Sequence, residues 1–206
     1  MTNPVQHAPS GSVGSARTVL GVVGSLRRGS YNRLLLHWVA DHAPERLVID
    51  VADDIIRLPL FDEDLEADGL PAEVVALHDR IRAADGIVIA TPEYNFGVPG
   101  PVKNWLDWAS RPVRRSPLGG KPIALMGASS GRTGGTVQCQ GQLRISLAVL
   151  GAHVMPSPPV LLAEAADKFD ADGHLVDELA QTVIGIAMDR FVALIDSLQP
   201  PEGRTS

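Results

Sequence analysis

Residues 24–32, GSLRRGSYN, combine two serines, two arginines and an asparagine directly before an amphipathic run. Backbone N–H groups at a helix start, small hydroxyls and guanidinium groups together suit a phosphate. The segment lacks the G-x-G-x-x-G spacing of dinucleotide sites and the G-x-x-x-x-G-K-[ST] spacing of triphosphate loops. We therefore expect a phosphate monoester here. The alternative is a plain turn in which Ser30 caps the helix.

Two further segments are suited to a planar ligand. Residues 91–101, TPEYNFGVPGP, place two aromatic residues between prolines, which stiffen the backbone so that its amides can be aimed at a ligand. Residues 127–135, GASSGRTGG, allow close backbone approach because glycine has no side chain. The alternatives are a rigid surface turn for the former and a flexible connection for the latter. The three segments are more informative together than singly.

Each of these segments follows a short apolar run that predicts a buried parallel strand. The clear runs are Thr18 to Val23, Leu47 to Val51, Ile87 to Ala90 and Ile123 to Met126, and a weaker fifth lies near His153 to Met155. Five strands that alternate with helices predict an α/β fold with a five-stranded, doubly wound parallel sheet. Ligands of such sheets bind outside the carboxyl ends of the strands, which is where the three segments fall.

Helical spacing fills the intervals between the strands. It is carried by Leu34, Leu35, Trp38 and Val39, by Val74, Leu77, Ile81 and Ala84, by Val102, Trp105, Leu106 and Ala109, by a run after the fourth strand, and by Val176, Leu179, Val183, Ile186, Phe191, Leu194 and Leu198.

We expect one domain over residues 17–198, a disordered arm over residues 1–16 and a loose end over residues 199–206. Trp105, Leu106 and Trp108 give the third helix enough apolar bulk for part of it to meet a second subunit, and the alternative is burial of these side chains against the sheet.

Composition excludes several classes of protein. The chain has 206 residues, 18 basic and 24 acidic, and a net charge of -6, which argues against nonspecific nucleic-acid binding. Cys139 is the single cysteine, so an intramolecular disulfide is impossible. With no apolar run of about 18 residues and no visible secretory signal, we expect a cytoplasmic protein without membrane contact. Seven of the 18 basic residues lie in residues 101–144 beside a single acid, which indicates either a local anion site or solvated loops that aid solubility.

The three segments resemble the NADPH-dependent FMN reductase family, which includes flavodoxin-like quinone, chromate and azo-dye reductases. The resemblance is carried by three motifs that occur in order along the chain. The first is Gly24-Ser25-Leu26-Arg27 with Ser30 and Asn32, and the second runs from Pro92-Glu93-Tyr94-Asn95 through Pro99-Gly100 to Lys103-Asn104 and Asp107-Trp108. The third runs from Gly127-Ala128-Ser129 through Gly134-Gly135 to Gln142-Leu143-Arg144. It covers about two thirds of the chain, from Val19 to Val160. It implies a flavodoxin-like, three-layer α/β/α fold.

The resemblance also implies a cofactor and the residues that bind it. The first motif is expected to hold the FMN phosphate through Ser25, Arg27, Ser30 and Asn32, assisted by the Leu26 backbone. The second is expected to lie along the flavin ring, largely through main-chain groups of Pro92, Glu93, Tyr94 and Asn95. The third is expected to place Ser129, Ser130 and Gly131 at the pyrimidine side of the ring.

The reaction implied is hydride transfer from NADPH or NADH to flavin N5, followed by reduction of a quinone, free flavin, or a chromate or azo compound. No side chain is then required as a catalytic residue, and ping-pong kinetics are expected. Arg111, Arg114, Arg115 and Arg132 are candidates for the 2'-phosphate of NADPH. The family resemblance further implies a homodimer or homotetramer with the flavin at the subunit boundary.

Three alternatives remain open from the sequence. A flavodoxin-type electron carrier would bind FMN but react poorly with nicotinamides. A serine hydrolase would use Ser129 in its G-x-S-x-G segment, followed in order by Asp170 and His174. Cys139 with Arg144 resembles a phosphatase loop superficially, but the cysteine is expected to pack within a helix. The six histidines are scattered, so no metal site is expected.

Overall fold

Six parallel strands form one sheet in the described part of the chain, residues 16–132 and 135–198 of a computed structural model. They are β1 (Arg17–Val23), β2 (Leu47–Ala52), β3 (Gly86–Ala90), β4 (Pro122–Ala128), β5 (His153–Val154) and β6 (Val160–Leu162). The expected N-terminal arm, apart from Ala16, and the expected C-terminal end over residues 199–206 lie outside the described residues. The sheet order β2-β1-β3-β4-β5 is that of a doubly wound sheet, and its switch point lies between β1 and β3.

The fifth position of the sheet is split between two short strands. β5 pairs with Pro122 and Ile123 at the start of β4, and β6 pairs with residues 126–128 at its end. The intervening residues 155–159, MPSPP, contain three prolines, which have no N–H to donate to a strand ladder. The sequence predicted one weak strand here and missed β6.

Six α-helices cover the sheet in the described residues. They are α1 (Tyr31–His42), α2 (Glu63–Ala67), α3 (Ala72–Ala83), α4 (Gly100–Ala109), α5 (Val137–Val149) and α6 (Glu178–Leu198). The five predicted helices are present, and the short α2 is an addition. The last helix begins after Val176 and not at it, because the Asp177 carboxylate accepts the Ala180 N–H at 2.7 Å and caps the helix there. None of these helices is long and apolar enough to cross a membrane.

Two apolar layers enclose the sheet and confirm the three-layer arrangement. Side chains of α1 and α6 pack on one face, and those of α3, α4 and α5 pack on the other. Trp105, Leu106 and Trp108 are all buried within the second layer, and the Trp108 indole N–H donates to the Pro59 carbonyl at 2.8 Å. The alternative of burial therefore holds for these three side chains, because the chain itself covers them.

Candidate functional site

A cavity of about 350 Å³ lies at the carboxyl edge of the sheet, where the loops after β1, β3 and β4 meet. Its lining is Ser25, Arg27, Ser30, Tyr31, Asn32, Pro92, Glu93, Tyr94, Ala128, Ser129, Ser130 and Gly131. Ten of the twelve residues predicted for the site are in this set. Leu26 and Asn95 do not line the cavity. Tyr31 and Ala128 line it and were missed, although both lie inside the predicted motifs.

The loop between β1 and α1 presents backbone donors to the cavity. Gly24 is required for its path, since a Cβ there would stand 2.6 Å from Val102 Cγ2 and 3.0 Å from the Ala90 carbonyl oxygen. Ser30 is the N-cap of α1, and its Oγ accepts the Arg33 N–H at 3.3 Å. The N–H groups of Tyr31 and Asn32, which precede Arg33 in the first turn, have no partner within the helix. This end of α1 can therefore receive an anion.

The Asn32 side chain, which is expected to bind the phosphate, is hydrogen-bonded to backbone groups. It is 3% exposed, and its amide donates to the Ala128 carbonyl and accepts the Ala128 N–H, both at 2.8 Å. These two bonds tie the start of α1 to the end of β4. The carboxamide is thus occupied by backbone, which leaves the Asn32 main-chain N–H as the group available to a ligand.

Positive charge at this loop comes from Arg27 and Arg28, both exposed. The Arg27 guanidinium lies 5.4 Å from the Tyr31 ring centroid, and Tyr31 stacks on Phe169 at 5.8 Å. Within the described ranges neither Arg27 nor Arg28 forms an ion pair. The Ser25 hydroxyl is 4% exposed and accepts the Arg27 N–H at 3.4 Å, which helps to shape the loop.

The loop between β3 and α4 contains a strained two-residue turn. Tyr94 and Gly97 exchange backbone hydrogen bonds of 3.3 and 3.0 Å across Asn95 and Phe96, whose φ angles are +51° and +60°. Asparagine tolerates this left-handed conformation, whereas phenylalanine adopts it at a cost. The Gln142 amide donates to the Phe96 carbonyl at 2.9 Å and supports the turn. The turn leaves the Tyr94 and Phe96 side chains 53% and 78% exposed, respectively.

Glu93 connects this loop to α5. Thr136 supplies no side-chain cap to that helix, and the Glu93 carboxylate accepts the Cys139 N–H at 2.9 Å instead. A negative charge at a helix N-terminus also interacts favourably with the helix dipole. The Cys139 thiol itself is buried, lies 3.6 Å from the Thr91 hydroxyl, and has a pKa that burial raises to about 11. The predicted packing of Cys139 within the fourth of the expected helices is confirmed, and the buried thiol is unsuited to a phosphatase loop.

The third loop is held by β6, the strand that the sequence missed. The Ser129 N–H donates to the Leu162 carbonyl at 2.8 Å, and the Glu164 N–H donates to the Gly131 carbonyl at 3.0 Å. The Ser129 hydroxyl accepts the Gly131 N–H at 3.1 Å. These bonds turn the loop backbone toward the cavity without help from a ligand.

The hydrolase alternative lacks its geometry. His174 and Asp170 contact each other at 3.1 Å in an exposed turn that Phe169 and Leu175 close by a β-bridge. Neither of the pair lines the cavity that contains Ser129. The described residues therefore assemble no Ser-His-Asp triad at this edge of the sheet.

Three of the four arginines considered for NADPH lie at the wrong edge of the sheet. Arg111, Arg114 and Arg115 belong to the α4–β4 connection, which leads to the start of β4 and not from its end. The same connection contacts the segments before β5 and β3, since the Gly120 N–H donates to the Gly151 carbonyl at 2.9 Å and the Lys121 ammonium donates to the Arg82 carbonyl at 3.1 Å. Arg111 is also engaged by Glu66 at 2.6 Å.

The remaining arginine of that group, Arg132, follows β4 at the correct edge. Its side chain is 87% exposed and lies 3.2 Å from the Glu164 carboxylate. Because an exposed ion pair of this kind contributes little, the guanidinium can exchange Glu164 for another anion.

Comparison with known proteins gives consistent matches. The profile of the NADPH-dependent FMN reductase family matches residues 17–167. An NAD(P)H-dependent FMN reductase of Pseudomonas aeruginosa is 45% identical over 166 residues, which cover 81% of this chain and 88% of that protein. A quinone reductase of Escherichia coli is 40% identical over 162 residues, with coverage of 78% and 85%. The solved structure of FerB, a flavoenzyme NAD(P)H:(acceptor) oxidoreductase from Paracoccus denitrificans, superposes with a TM-score of 0.80 at 36% identity and covers 88% of this chain and 98% of that one.

Proposed function

The chain belongs to the NADPH-dependent FMN reductase family and is an FMN-dependent NAD(P)H oxidoreductase, and we propose that it reduces quinones. Free flavin and other oxidised acceptors, including chromate or azo compounds, are further candidate substrates. The observation that carries the proposal is the cavity at the switch point, where three loops are held open by the protein's own hydrogen bonds. We therefore favour reductase activity over the two alternatives considered from the sequence, an electron carrier and a serine hydrolase.

The residues present fit the phosphate of FMN. The first-turn N–H groups of α1 supply directed donors, and the Ser25 and Ser30 hydroxyls lie beside them. Arg27 supplies a guanidinium without a carboxylate partner in the described residues, and a phosphate would neutralise it. We propose that these groups hold the phosphate, with the Leu26 backbone assisting.

The other two loops fit the flavin ring. Pro92, Glu93, Tyr94 and Asn95 are proposed to lie along it mainly through main-chain groups, since the Glu93 carboxylate is occupied at α5. Ser129, Ser130 and Gly131 are proposed to contact the pyrimidine side. Bound FMN supplies the hydride-accepting chemistry, and the protein supplies position and electrostatics.

The second substrate is proposed to enter beside the exposed aromatic turn. Tyr94 and Phe96 offer apolar rings on which a planar acceptor can stack once the nicotinamide has left. Sharing one site in this way requires ping-pong kinetics. For the 2'-phosphate of NADPH, Arg132 is the candidate that remains of the four arginines first considered.

The assembly is proposed to be a homodimer or homotetramer, formed through the outer face of α5. On that face Val137, Ile145 and Val149 are 47%, 70% and 82% exposed. The helix has one charged residue, Arg144, and its guanidinium donates to the Met155 carbonyl at 2.7 Å. An uncharged, partly apolar face that reaches the Phe96 turn through Gln142 suits a second copy of the chain. Ile145→Glu should dissociate the oligomer in sedimentation, and Val48→Glu, at an exposed apolar position of β2, is the control.

A cytoplasmic location is proposed because Cys139 is a lone, buried thiol and the reaction consumes NAD(P)H.

The reductase proposal is tested with purified protein loaded with FMN. Steady NADPH oxidation that depends on an added quinone, with parallel double-reciprocal plots, is the expected result. Stable FMN binding without quinone-dependent NADPH oxidation would instead support an electron carrier. Arg132→Gln should lower kcat/KM for NADPH and leave kcat/KM for NADH unchanged.

A further inference from the structure

A second cavity, of about 200 Å³, lies between the sheet and α3, on the layer that also contains α4. Its lining is Leu20, Val22, Ala52, Asp54, Ile55, Arg57, Leu58, Glu73, Ala76, Leu77, Arg80 and Trp105. It shares no residue with the lining of the cavity at the switch point. Nothing in the proposed reductase reaction uses it.

The floor of this cavity is apolar and formed by buried side chains. Leu20 and Val22 of β1 are 2% and 1% exposed, and the Trp105 indole is 2% exposed. For comparison, an apolar cavity of roughly 150 Å³ in another protein stays dry and binds benzene. A cavity of about 200 Å³ therefore has room for a single substituted ring.

The mouth of the cavity is charged and open. Ala76, Arg57 and Glu73 are exposed, so the cavity is reached from solvent. Arg80 is already paired, since it contacts Asp50 at 3.0 Å and Asp54 at 2.9 Å. Within the part of the chain that the structure describes, the side chains of Arg57 and Glu73 form no ion pair and no hydrogen bond to protein groups. The mouth thus offers one guanidinium donor and one carboxylate acceptor without partners.

The geometry points to a binding site for a single-ring phenol in this cavity. The ring occupies the apolar floor against Trp105, and the hydroxyl lies at the mouth. A phenolic hydroxyl accepts from the Arg57 guanidinium and donates to the Glu73 carboxylate, whereas a carboxylate ligand would be repelled by Glu73 and benzene can make neither bond. The unpaired opposite charges at the mouth thus favour a neutral donor-acceptor group over an anion.

The test uses FMN-loaded protein and three probes, namely phenol, benzene and benzoate, whose affinities are measured by saturation-transfer NMR titration. Phenol should bind about tenfold more tightly than benzene or benzoate, as expected for one hydrogen bond to a charged group. Intermolecular NOEs should link phenol protons to the Trp105 indole. Equal affinity for benzene and phenol, or tighter binding of benzoate, would overturn the assignment of the polar group.

Two matched helix variants locate the site. Ala76→Phe places a ring in the cavity from an exposed position of α3, and it should weaken phenol binding at least about tenfold because the filled volume excludes the ligand. Val75→Phe adds the same ring at a neighbouring position that does not line the cavity, and it should leave binding unchanged. Unchanged binding in Ala76→Phe would place phenol elsewhere, for example on the flavin.

Two mouth variants keep the inference testable if Ala76→Phe perturbs the fold. Arg57→Gln and Glu73→Gln change exposed side chains, and each should bring the affinity for phenol about three- to tenfold closer to that for benzene. FMN affinity should stay the same in both, because neither residue lies at the switch-point cavity. If neither variant alters phenol binding, the proposed recognition is refuted, whatever the outcome for the reductase activity.

Discussion

The substitution Asn32→Ala distinguishes two roles for the Asn32 side chain, namely binding of the FMN phosphate and hydrogen bonding within the protein. If the carboxamide binds phosphate, its loss should weaken FMN binding and leave the flavin-free protein as stable as before. The structure instead uses the carboxamide for two buried hydrogen bonds to Ala128, at 2.8 Å each. Its removal leaves a backbone N–H and a backbone carbonyl unsatisfied near the end of β4.

The magnitude follows from those two groups. An unsatisfied buried polar group costs about 1–3 kcal/mol, so we expect a loss of about 3 kcal/mol in the free energy of unfolding. For a domain of this size that lowers Tm by about 6–12 °C. Asn32→Asp should be at least as destabilising, because its carboxylate can still accept the Ala128 N–H but faces the Ala128 carbonyl without a proton to donate.

The assay is urea unfolding of the flavin-free protein, followed by circular dichroism, alongside FMN titration by fluorescence. Asn104→Ala is the matched control, since that carboxamide also makes two backbone bonds, accepting the Phe61 N–H at 2.7 Å and donating to the Pro59 carbonyl at 2.8 Å. It should destabilise the protein and leave FMN affinity unchanged. A flavin-free Asn32→Ala protein within about 0.5 kcal/mol of wild type, with FMN binding at least tenfold weaker, would refute the structural role.

Three further predictions concern neighbouring side chains. Arg27→Gln should raise the Kd for FMN about 10- to 100-fold, whereas Arg115→Gln, at the opposite edge of the sheet, should not change it in the same fluorescence titration. Glu93→Ala should lower the free energy of unfolding by about 1 kcal/mol because α5 loses its cap, and Glu93→Gln, which can still accept the bond, should lower it less in urea unfolding. Because Cys139 is buried and burial raises its thiol pKa to about 11, alkylation at neutral pH should be much slower in the folded protein than in urea-unfolded protein, as followed by mass spectrometry. Equal alkylation rates in folded and urea-unfolded protein would contradict this.

The strands and loops of the site could be predicted because they depend on local sequence. Four apolar runs predicted β1 to β4, and the glycine- and proline-containing segments after β1, β3 and β4 contain all twelve cavity-lining residues, ten of which were predicted individually. In a parallel sheet, the carboxyl ends of neighbouring strands share an edge, so a linear pattern fixes which loops meet. The location of the site can therefore be predicted from the order of the strands along the chain, without knowledge of how the side chains pack.

What the sequence did not reveal depends on partners distant along the chain. β6 has three residues after a proline-rich segment, and its identity as a strand comes from pairing with β4. The roles of Asn32 and Glu93 depend on Ala128 and Cys139, which lie 96 and 46 residues away. No local propensity encodes such pairs.

Two errors had a simpler origin. The choice of Arg111 as a candidate for the 2'-phosphate of NADPH requires its loop to lie at the binding edge, and it ignores whether that loop enters or leaves a strand. A connection that leads from a helix into a parallel strand must lie at the amino edge, so chain direction already excluded it. Trp105 and Trp108 were judged too bulky for one helix face, but residues 58–61 and α3 cover them.

The three loops of the cavity are each fixed by a bond that does not involve a ligand. Asn32 ties the first to β4, Glu93 ties the second to α5, and Leu162 of β6 holds Ser129 of the third. A site held in this way loses little conformational entropy when it binds, so more of the interaction energy appears as affinity. Arg27 is the exception, because it is exposed and has no ion-pair partner among the described residues. Ordering of its side chain is therefore the main conformational cost that phosphate binding must offset in this loop.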